Sequence, residues 1–122
     1  MINKMIPNRY KQKFSFEERK KESNRVKSKF YDHVPVIVQK YNNDDIEISK
    51  SKFLVQKYNT MSEFIIAIRR FMNLSPDRCV YILLENNLML PSISDNVSKI
   101  YDTNKDEDGF LYLRYSNEAC FG

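Results

Sequence analysis

Glycine, cysteine and histidine are scarce in this 122-residue chain, and their scarcity excludes several classes of protein. The two glycines, Gly109 and Gly122, are too few for a glycine-rich phosphate loop or a dinucleotide-binding fingerprint. The two cysteines, Cys79 and Cys120, are too few for a disulfide framework or a zinc site. A reducing, cytosolic location is therefore the simplest interpretation of the cysteine content.

Long apolar runs are also missing. No stretch approaches the roughly 18 apolar residues of a membrane-spanning helix. The first ten residues carry Lys4 and Arg9 without an apolar segment, which is unlike a secretory signal. The apolar residues make up 42% of the chain and include eight Phe and eight Tyr, which is enough for one folded domain with a modest core.

Acidic residues are few in the N-terminal third. Residues 1–40 contain 11 Lys or Arg against four Asp or Glu, a net charge of +7, whereas residues 41–122 contain nine against 12, a net charge of −3. This asymmetry favours an acidic partner for the basic third, such as anionic lipid, acidic peptide or nucleic acid, or else indicates a solvated helix face. Few aromatic residues are interleaved with these charges, so no nucleic acid partner is expected.

Two capping boxes predict the starts of two helices. The first has Ser15 as N-cap and Glu18 reaching back, and its charged helix continues to about Phe30. The second is formed by Thr60 and Glu63. Its helix has apolar residues at a spacing of about 3.6 and ends at the Ser-Pro-Asp of residues 75–77. These apolar residues are Met61, Phe64, Ile65, Ile68, Phe71 and Met72.

Strands are predicted from runs of β-branched and aromatic residues. Residues 34–40 and Lys52–Gln56 form a hairpin around a turn at 42–45, and residues 110–115 form the final strand. The apolar run 79–84 is expected to be a central strand buried on both faces, with Cys79 as an inert packed thiol. The remaining predicted elements are a short strand over 88–90, a helix over 94–102 and a solvated acidic turn over 106–109.

The predicted order of elements is helix, two strands, helix, strand, short strand, helix and strand. Two hairpin strands, a crossing helix and further strands are typical of an α+β, ubiquitin-like β-grasp fold. The helical segment before the first strand is an N-terminal extension of that fold. We divide the chain into a short helix or arm over residues 1–13 and one domain over residues 14–122, with a tail over 116–122.

Several segments resemble the autophagy-related protein 8 family, which includes the GABA-receptor-associated and light chain 3-like proteins. The resemblance runs from about Phe14 to Gly122, and its most specific part is the last segment, with an Asp-Gly turn, an aromatic strand and a tail ending in Phe-Gly. The matching segments are FEERKKESNRVKSKF, VPVIV, KFLV, EFIIAIRR and KDEDGFLYLRYSNEACFG. The resemblance implies a ubiquitin-like modifier that is not itself an enzyme and that has no catalytic residues, metal or cofactor.

The resemblance implies that Gly122 is the residue that is conjugated. Activating and conjugating enzymes would join its carboxylate to the amine of phosphatidylethanolamine, and a cysteine protease would reverse the reaction. A glycine suits this chemistry because it has no Cβ and a narrow enzyme channel can close around it. The expected location is the cytoplasm and, after lipidation, the membrane of autophagosomes or other vesicles.

The resemblance also implies two pockets for peptides with an aromatic-x-x-aliphatic motif, which would add a strand to the hairpin edge. Lys50 and Lys52 would contact acidic residues that flank the motif. The aromatic pocket would consist of Glu22, Val26, Pro35, Ile37, Lys52, Leu54 and Phe110. The aliphatic pocket would include Phe53, Val55, Phe64 and Ile68. Without the resemblance, ordinary core packing would explain most of these apolar residues.

The second pocket departs from the family pattern, and an altered ligand preference is expected. Gln56 replaces a usual proline, Asn59 a usual leucine, Ala67 a larger aliphatic residue and Phe71 a basic residue. His33 replaces a frequent arginine.

Other functions are open or disfavoured. A protein-to-protein modifier similar to autophagy-related protein 12 and an unconjugated peptide-binding adaptor are the alternatives. A nucleophilic pair of His33 and Cys120 is disfavoured because the cysteine lies on the tail. Asp106, Glu107 and Asp108 resemble only half of a calcium loop.

Overall fold

The computed structural model describes residues 5–43 and 45–117, and eight helices and strands follow one another in this part of the chain. They are helix α1 (Arg9–Lys13), helix α2 (Phe16–Lys29), strand β1 (His33–Lys40), strand β2 (Lys52–Gln56), helix α3 (Met61–Arg69), strand β3 (Tyr81–Leu84), helix α4 (Val97–Asn104) and strand β4 (Leu111–Ser116). This order confirms the predicted α+β succession. Gly122 and Cys120 lie outside the described residues.

Both predicted capping boxes are present. Ser15 accepts a hydrogen bond from the backbone of Glu18 at 3.2 Å, and the Glu18 carboxylate accepts one from the Ser15 backbone at 2.9 Å. Thr60 and Glu63 form the same reciprocal pair at the start of α3. Each box satisfies backbone N–H groups that have no partner inside the helix, so the two helix starts are fixed by local sequence.

The four strands form one mixed sheet in the order β2-β1-β4-β3. The first and last strands, β1 and β4, are parallel neighbours in the centre, and Val36 pairs with Leu111. Strand β2 runs antiparallel to β1, and β3 runs antiparallel to β4. A central parallel pair flanked by two antiparallel edge strands is the β-grasp arrangement that the element order predicts.

Helices cover both faces of the sheet. Alternate residues of β1 and β4 point to a core shared with α3 and α4, because side chains along a strand alternate between faces. The intervening residues Ile37 and Tyr112 point to the opposite face, where they pack with Phe110 and Tyr10 near α1 and α2. The Tyr10 and Phe110 rings meet edge to face, with their centroids 5.2 Å apart. The sheet is therefore open only at its two edge strands.

A buried carboxylate joins α2 to the start of β4. Asp108 is 0% exposed, and its Oδ2 accepts hydrogen bonds from Arg19 Nε at 2.8 Å and from the Tyr112 hydroxyl at 2.5 Å. Its Oδ1 accepts from the Phe110 backbone at 2.9 Å. Each oxygen of the buried charge is thus hydrogen-bonded, as burial of a carboxylate requires.

The turn around Asp108 corrects the prediction that it is solvated. Asp106 pairs with Lys11 at 2.6 Å, and the Ser23 hydroxyl donates to the Asp108 backbone carbonyl at 2.5 Å. Gly109 has a φ of +93° and lies so close to α2 that an added Cβ would overlap the Ser23 hydroxyl. Asp106 and Asp108 are structural because Lys11 of α1 and Arg19 of α2 pair with them, a contact between distant segments.

A second buried charge fixes the segment before α1. Arg114 is 1% exposed, and its Nε lies 2.5 Å from a carboxylate oxygen of Glu85. One terminal nitrogen of Arg114 donates to the backbone carbonyls of Ile6 at 2.8 Å and Lys40 at 3.1 Å. Asn8 donates to the same Glu85 carboxylate at 3.0 Å. The guanidinium therefore ties the N-terminal segment to the end of the sheet.

The structure corrects the prediction for residues 79–84. Strand β3 begins at Tyr81 and is an edge strand, and Cys79 precedes it as an exposed free thiol. Ile82 and Leu84 point into the main core, and Leu83 is fully buried on the opposite face, so the apolar run reflects burial of both faces of β3. It carries no information about how many strands flank β3.

Residues 88–90 were also predicted wrongly, since they form no strand. Leu88 has a φ of +58°, its N–H donates to the Leu84 carbonyl at 2.8 Å, and the Met89 carbonyl accepts from the Leu84 N–H at 2.9 Å. These two bonds close a turn directly after β3, so the segment folds back before it can extend.

Two helix boundaries differ from the prediction. Helix α3 ends at Arg69, because Ser49 and Ile48 pair with Phe71 and Met72 and draw these residues out of the helix. Helix α4 spans Val97–Asn104 and so begins three residues after the predicted position 94. None of the helices in the described part of the chain is long and apolar enough to cross a membrane.

We expect Asp108→Ala to lower the free energy of unfolding by about 3–5 kcal/mol, because the buried Arg19 guanidinium loses its counter-charge. Urea unfolding followed by circular dichroism measures this change. The matched control is Glu107→Ala, which removes an exposed carboxylate from the same turn and should change the free energy by less than about 0.5 kcal/mol. Equal losses for the two variants would contradict the assigned role of Asp108.

Candidate functional site

Strand β2 offers an open edge to a partner strand. Among the described residues it pairs only with β1, and its burial alternates between exposed and buried positions. Phe53 and Val55 point into the core, whereas Lys52, Leu54 and Gln56 are exposed. Unpaired backbone groups along an edge strand are a template for β-augmentation, so this strand is where an extended peptide can add.

The residues predicted for the aromatic pocket come together from α2, β1, β2 and the residue before β4. In the hairpin register Ile37 faces Lys52 and Pro35 faces Leu54, so these four side chains share one sheet face. That face lies towards α2, because Lys52 Nζ forms an ion pair with Glu22.

The buried residues of the floor are Val26, Pro35, Ile37 and Phe110. Leu54, with 37% of its surface exposed, forms the outer rim. All seven predicted residues are thus compatible with one shallow apolar site between α2 and the hairpin.

A charged cluster borders this pocket. The Glu22 carboxylate accepts hydrogen bonds from Arg25 at 2.8 and 3.0 Å and from Lys52. The hydrogen bonds from Arg25, followed by those from Lys52, lower the pKa of Glu22 to about 2. Glu22 is consequently ionised at neutral pH, and a ligand that recruits Lys52 must compete with it.

A basic cleft of about 810 Å³ continues from this cluster between the N-terminal helices and the start of β2. Gln39 lines the cleft, and its Oε1 accepts from the Tyr10 backbone at 3.0 Å, which leaves its buried Nε2 without a partner among the described residues. The basic residues of the cleft are Arg9, Lys13, Lys21, Arg25, Lys40 and Lys52. Only Lys52 was singled out from the sequence, and the net charge of the N-terminal third was the signal for the others.

The residues predicted for the aliphatic pocket also lie together, but they belong to the main core. Phe53, Val55, Phe64 and Ile68 are all buried in the same cluster. The Phe53 ring meets the Phe64 and Phe71 rings with centroid distances of 5.4 Å in both cases. The half-buried residues above them are Ala67 and Phe71, so an aromatic wall stands where the family pattern has a basic residue.

The two lysines predicted to contact acidic flanks lie in different places. Lys50 Nζ is 5.0 Å from the Phe53 ring centroid and 5.3 Å from that of Phe71. Lys52 instead pairs with Glu22 beside the first pocket. One lysine therefore borders each pocket, so a single acidic residue of a ligand could contact only one of the two.

The other residues considered from the sequence do not form a reactive site. His33 Nδ1 lies 2.7 Å from the carboxylate of its neighbour Asp32. Within residues 5–43 and 45–117, no group of three His, Cys, Asp or Glu side chains is arranged to hold a metal ion. The half calcium loop at 106–108 is the acidic turn that binds Lys11 and Arg19.

The fold and the site define a ubiquitin-like protein with an N-terminal helical extension and an open edge strand beside an apolar surface. The family model described as "Autophagy protein Atg8 ubiquitin like" matches residues 18–122. The chain belongs to this family and is an Atg8-type, ubiquitin-like autophagy protein.

Individual relatives agree with this assignment. Autophagy-related protein 8 of Schizosaccharomyces pombe is 42% identical over 114 residues, which cover 93% of each chain. The crystal structure of Trypanosoma brucei ATG8 has a TM-score of 0.85 at 34% identity, with 96% of this chain and 100% of that chain covered. A Plasmodium falciparum Atg8, solved in complex with a Plasmodium falciparum Atg3 peptide, has a TM-score of 0.84 at 30% identity and covers 93% and 98%.

The low pKa of Glu22 predicts a pH-dependent contribution to stability. The pKa is depressed in the folded protein, so the contribution is complete above the ordinary value of 4.5 and is lost as the pH falls through about 2. We expect wild type and Glu22→Gln to differ in free energy of unfolding by a constant amount at neutral pH, and we expect this difference to shrink as the pH falls from 4.5 to about 2. Urea unfolding of both proteins at a series of pH values between neutral and about 2 tests this prediction.

The control for this experiment is Glu17→Gln, which removes the same charge from the exposed first turn of α2. It should not reproduce this decrease, because Glu17 is not a partner of Arg25 or Lys52 in this cluster. A wild type and Glu22→Gln pair whose difference persists to about pH 2 would refute the assignment.

Proposed function

We propose that the chain is conjugated through Gly122 to phosphatidylethanolamine and that its β2 edge binds aromatic-x-x-aliphatic motifs. The conjugation part rests on the match to the Atg8 family, which continues through Gly122. The docking part rests on the open β2 edge beside an apolar floor with a charged rim. The alternatives are conjugation to a protein lysine and an unconjugated adaptor.

The chemistry of conjugation requires little of the chain beyond its tail. A separate enzyme activates the Gly122 carboxylate with ATP, and the acyl group passes to enzyme thiols as a thioester. The lipid amine then attacks the thioester carbonyl, so an amide bond forms and the thiol leaves. The chain is the substrate of these steps and not their catalyst. A deconjugating cysteine protease would hydrolyse the amide.

Conjugation would change where the protein resides. The two acyl chains of the lipid contribute roughly 0.8 kcal/mol per buried methylene, which is enough for stable anchoring. We propose a cytoplasmic form and a form on autophagosomal or other vesicle membranes. The N-terminal third, with its net charge of +7 over residues 1–40, would add attraction to anionic lipid.

The conjugating enzyme is itself a candidate ligand of the β2 edge. The Plasmodium falciparum relative was solved with a peptide of Atg3, so a segment of an Atg3-type enzyme is a reasonable partner for this chain. Cargo receptors with aromatic-x-x-aliphatic motifs would use the same edge. Backbone hydrogen bonds to β2 would supply affinity, and the two pockets would supply specificity.

The second pocket should prefer a ligand side chain that suits an aromatic wall. Phe71 packs against Phe53, and Lys50 lies over both rings, so the rim is aromatic and cationic. Ala67 leaves more room than a larger aliphatic residue would. We therefore propose that a bulky residue such as Met or Phe is accepted at the aliphatic position of the motif.

Conjugation is tested by incubating the chain with its activating and conjugating enzymes, ATP and phosphatidylethanolamine liposomes. We expect the protein mass to increase by one lipid minus water, and we expect no increase for Gly122→Ala. Ala119→Gly is the matched tail control and should be conjugated like the wild type. An adduct on a protein lysine instead of lipid would support the protein-modifier alternative, and no adduct with active enzymes would refute conjugation.

Docking is tested by the affinity for a synthetic peptide with acidic residues before a Trp-x-x-Leu motif. We expect Leu54→Asp to weaken binding at least about tenfold, because it places a charge at the rim of an apolar pocket. Fluorescence anisotropy measures the dissociation constant.

Ile66→Asp is the control for docking, since Ile66 is exposed on α3 and is not in either predicted pocket. It should bind the peptide as tightly as the wild type. Equal affinity of wild type and Leu54→Asp would show that the peptide binds elsewhere.

A further inference from the structure

Two lysines of α2 face away from the predicted aromatic pocket and towards the turn that precedes β4. Lys20 Nζ donates to the backbone carbonyl of Glu107 at 3.2 Å. Lys27 lies two turns further along the helix, and its Nζ would be 3.6 Å from a Cβ placed on Gly109. Ser23, between them on the same helix face, donates to the Asp108 carbonyl. This face of α2 therefore presents two ammonium groups to residues 106–109.

A third lysine approaches the same place from the end of α4. Lys27 Nζ is 5.9 Å and Lys105 Nζ is 5.5 Å from the centroid of the Tyr101 ring. The ring is buried, and its hydroxyl donates to the Gly109 carbonyl at 2.6 Å. Tyr101 is thus a fixed support that holds two cations near one another, although like charges repel.

Lys57 completes the group from the connection between β2 and α3. Its backbone carbonyl accepts from the Ser98 N–H at 3.1 Å, and its own N–H donates to the Asp32 carbonyl at 2.9 Å. These bonds hold its backbone beside the first turn of α4, and its ammonium group acts on that of Lys27 by lowering its pKa. Lys20, Lys27, Lys57 and Lys105 are called here the four-lysine cluster.

Among the described residues none of the four ammonium groups forms a salt bridge, and the nearby Asp32 carboxylate, whose pKa Lys57 helps to lower, is bonded first to His33. Burial lowers the pKa of Lys27, and the ammonium groups of Lys20, Lys105 and Lys57 lower it further. Burial raises the pKa of Tyr101, and two carboxylates raise it further: Asp102, which is exposed, and Asp108, which is already bonded to Arg19.

We propose that the four-lysine cluster binds a phosphate monoester, carried either on the headgroup of an anionic lipid or on a soluble molecule. A phosphate monoester carries about −1.5 to −2 charge at neutral pH and three acceptor oxygens, so it can accept from several ammonium groups at once. Lysine contributes to such sites as a flexible point charge. A carboxylate would supply one charge to a cluster of four, which leaves most of the repulsion in place.

The site is separate from the proposed peptide edge. Within α2, Glu22 and Val26 face the hairpin, whereas Lys20 and Lys27 face α4 and the turn before β4. Binding of phosphate needs no lipid at Gly122 and no peptide on β2. The test can consequently use the unconjugated chain, and its result does not depend on the proposed conjugation.

The experiment compares wild type with Lys27→Met, which keeps the aliphatic stem on Tyr101 but removes the charge, and with Lys27→Arg, which keeps the charge. Binding is followed by nuclear magnetic resonance with inositol hexakisphosphate and by co-sedimentation with phosphatidic acid vesicles, both at low salt. We expect Lys27→Met to weaken binding at least about fivefold and Lys27→Arg to bind within about twofold of wild type.

Lys29→Met is the matched control, because it removes one exposed charge from the last turn of the same helix. It should bind within about twofold of wild type, and thermal unfolding should show that all the variants are folded. Binding of vesicles alone assigns the phosphate to lipid, whereas binding of both probes assigns it to phosphates in general. Equal losses for Lys27→Met and Lys29→Met, or no binding of either probe by wild type, would overturn the proposal.

Discussion

The buried carboxylate of Asp108 is the contact on which the proposed aromatic pocket depends. It holds Arg19 and so sets the position of α2, while the close approach at Gly109 sets its distance from the sheet. Helix α2 in turn supplies Glu22 and Val26, one wall of the aromatic pocket. Since a buried ion pair is costly unless both partners are in place, the helix has one well-defined position. A pocket formed between a helix and a hairpin retains its shape only if that position is kept.

The helices that cover the sheet explain why the proposed binding sites lie at its edges and not on its faces. Helices α3 and α4 cover one face and α1 and α2 cover the other, so both faces are buried in the interior of the domain. The Arg114–Glu85 pair closes the end of the sheet by fixing the N-terminal segment. In the described part of the chain, what is left for the proposed partners is the backbone of an edge strand and the rims between helix and strand. A small domain with two covered faces must recognise its ligands through these parts.

Helices and strands that are determined by residues close together in the sequence could be predicted from the sequence. The capping boxes at Ser15 and Thr60 act within one helical turn, and the β-branched strand β1 needs no distant information. Residues 88–90 were misassigned because of a local turn that closes onto Leu84, but two other misassigned features depend on contacts between distant segments. The 106–108 turn is buried because α1 and α2 lie on it, and residues 71–72 leave α3 because 48–49 pair with them. The four-lysine cluster is invisible in the sequence for the same reason, since its members are up to 85 positions apart.

Helix α2 borders both the proposed aromatic pocket and the four-lysine cluster. Ligands at these two places could therefore affect each other through the helix. Coupling requires an element with two arrangements that the ligands stabilise differently. Arg19 donates to Asp108 and to the Phe14 carbonyl, and Ser23 bonds the Asp108 carbonyl, so α2 is held at successive turns on the side between the two sites. Any displacement of the helix would break these buried bonds together. A peptide at β2 and an anion at the lysines should therefore bind independently, because the helix they share has no second position of comparable energy.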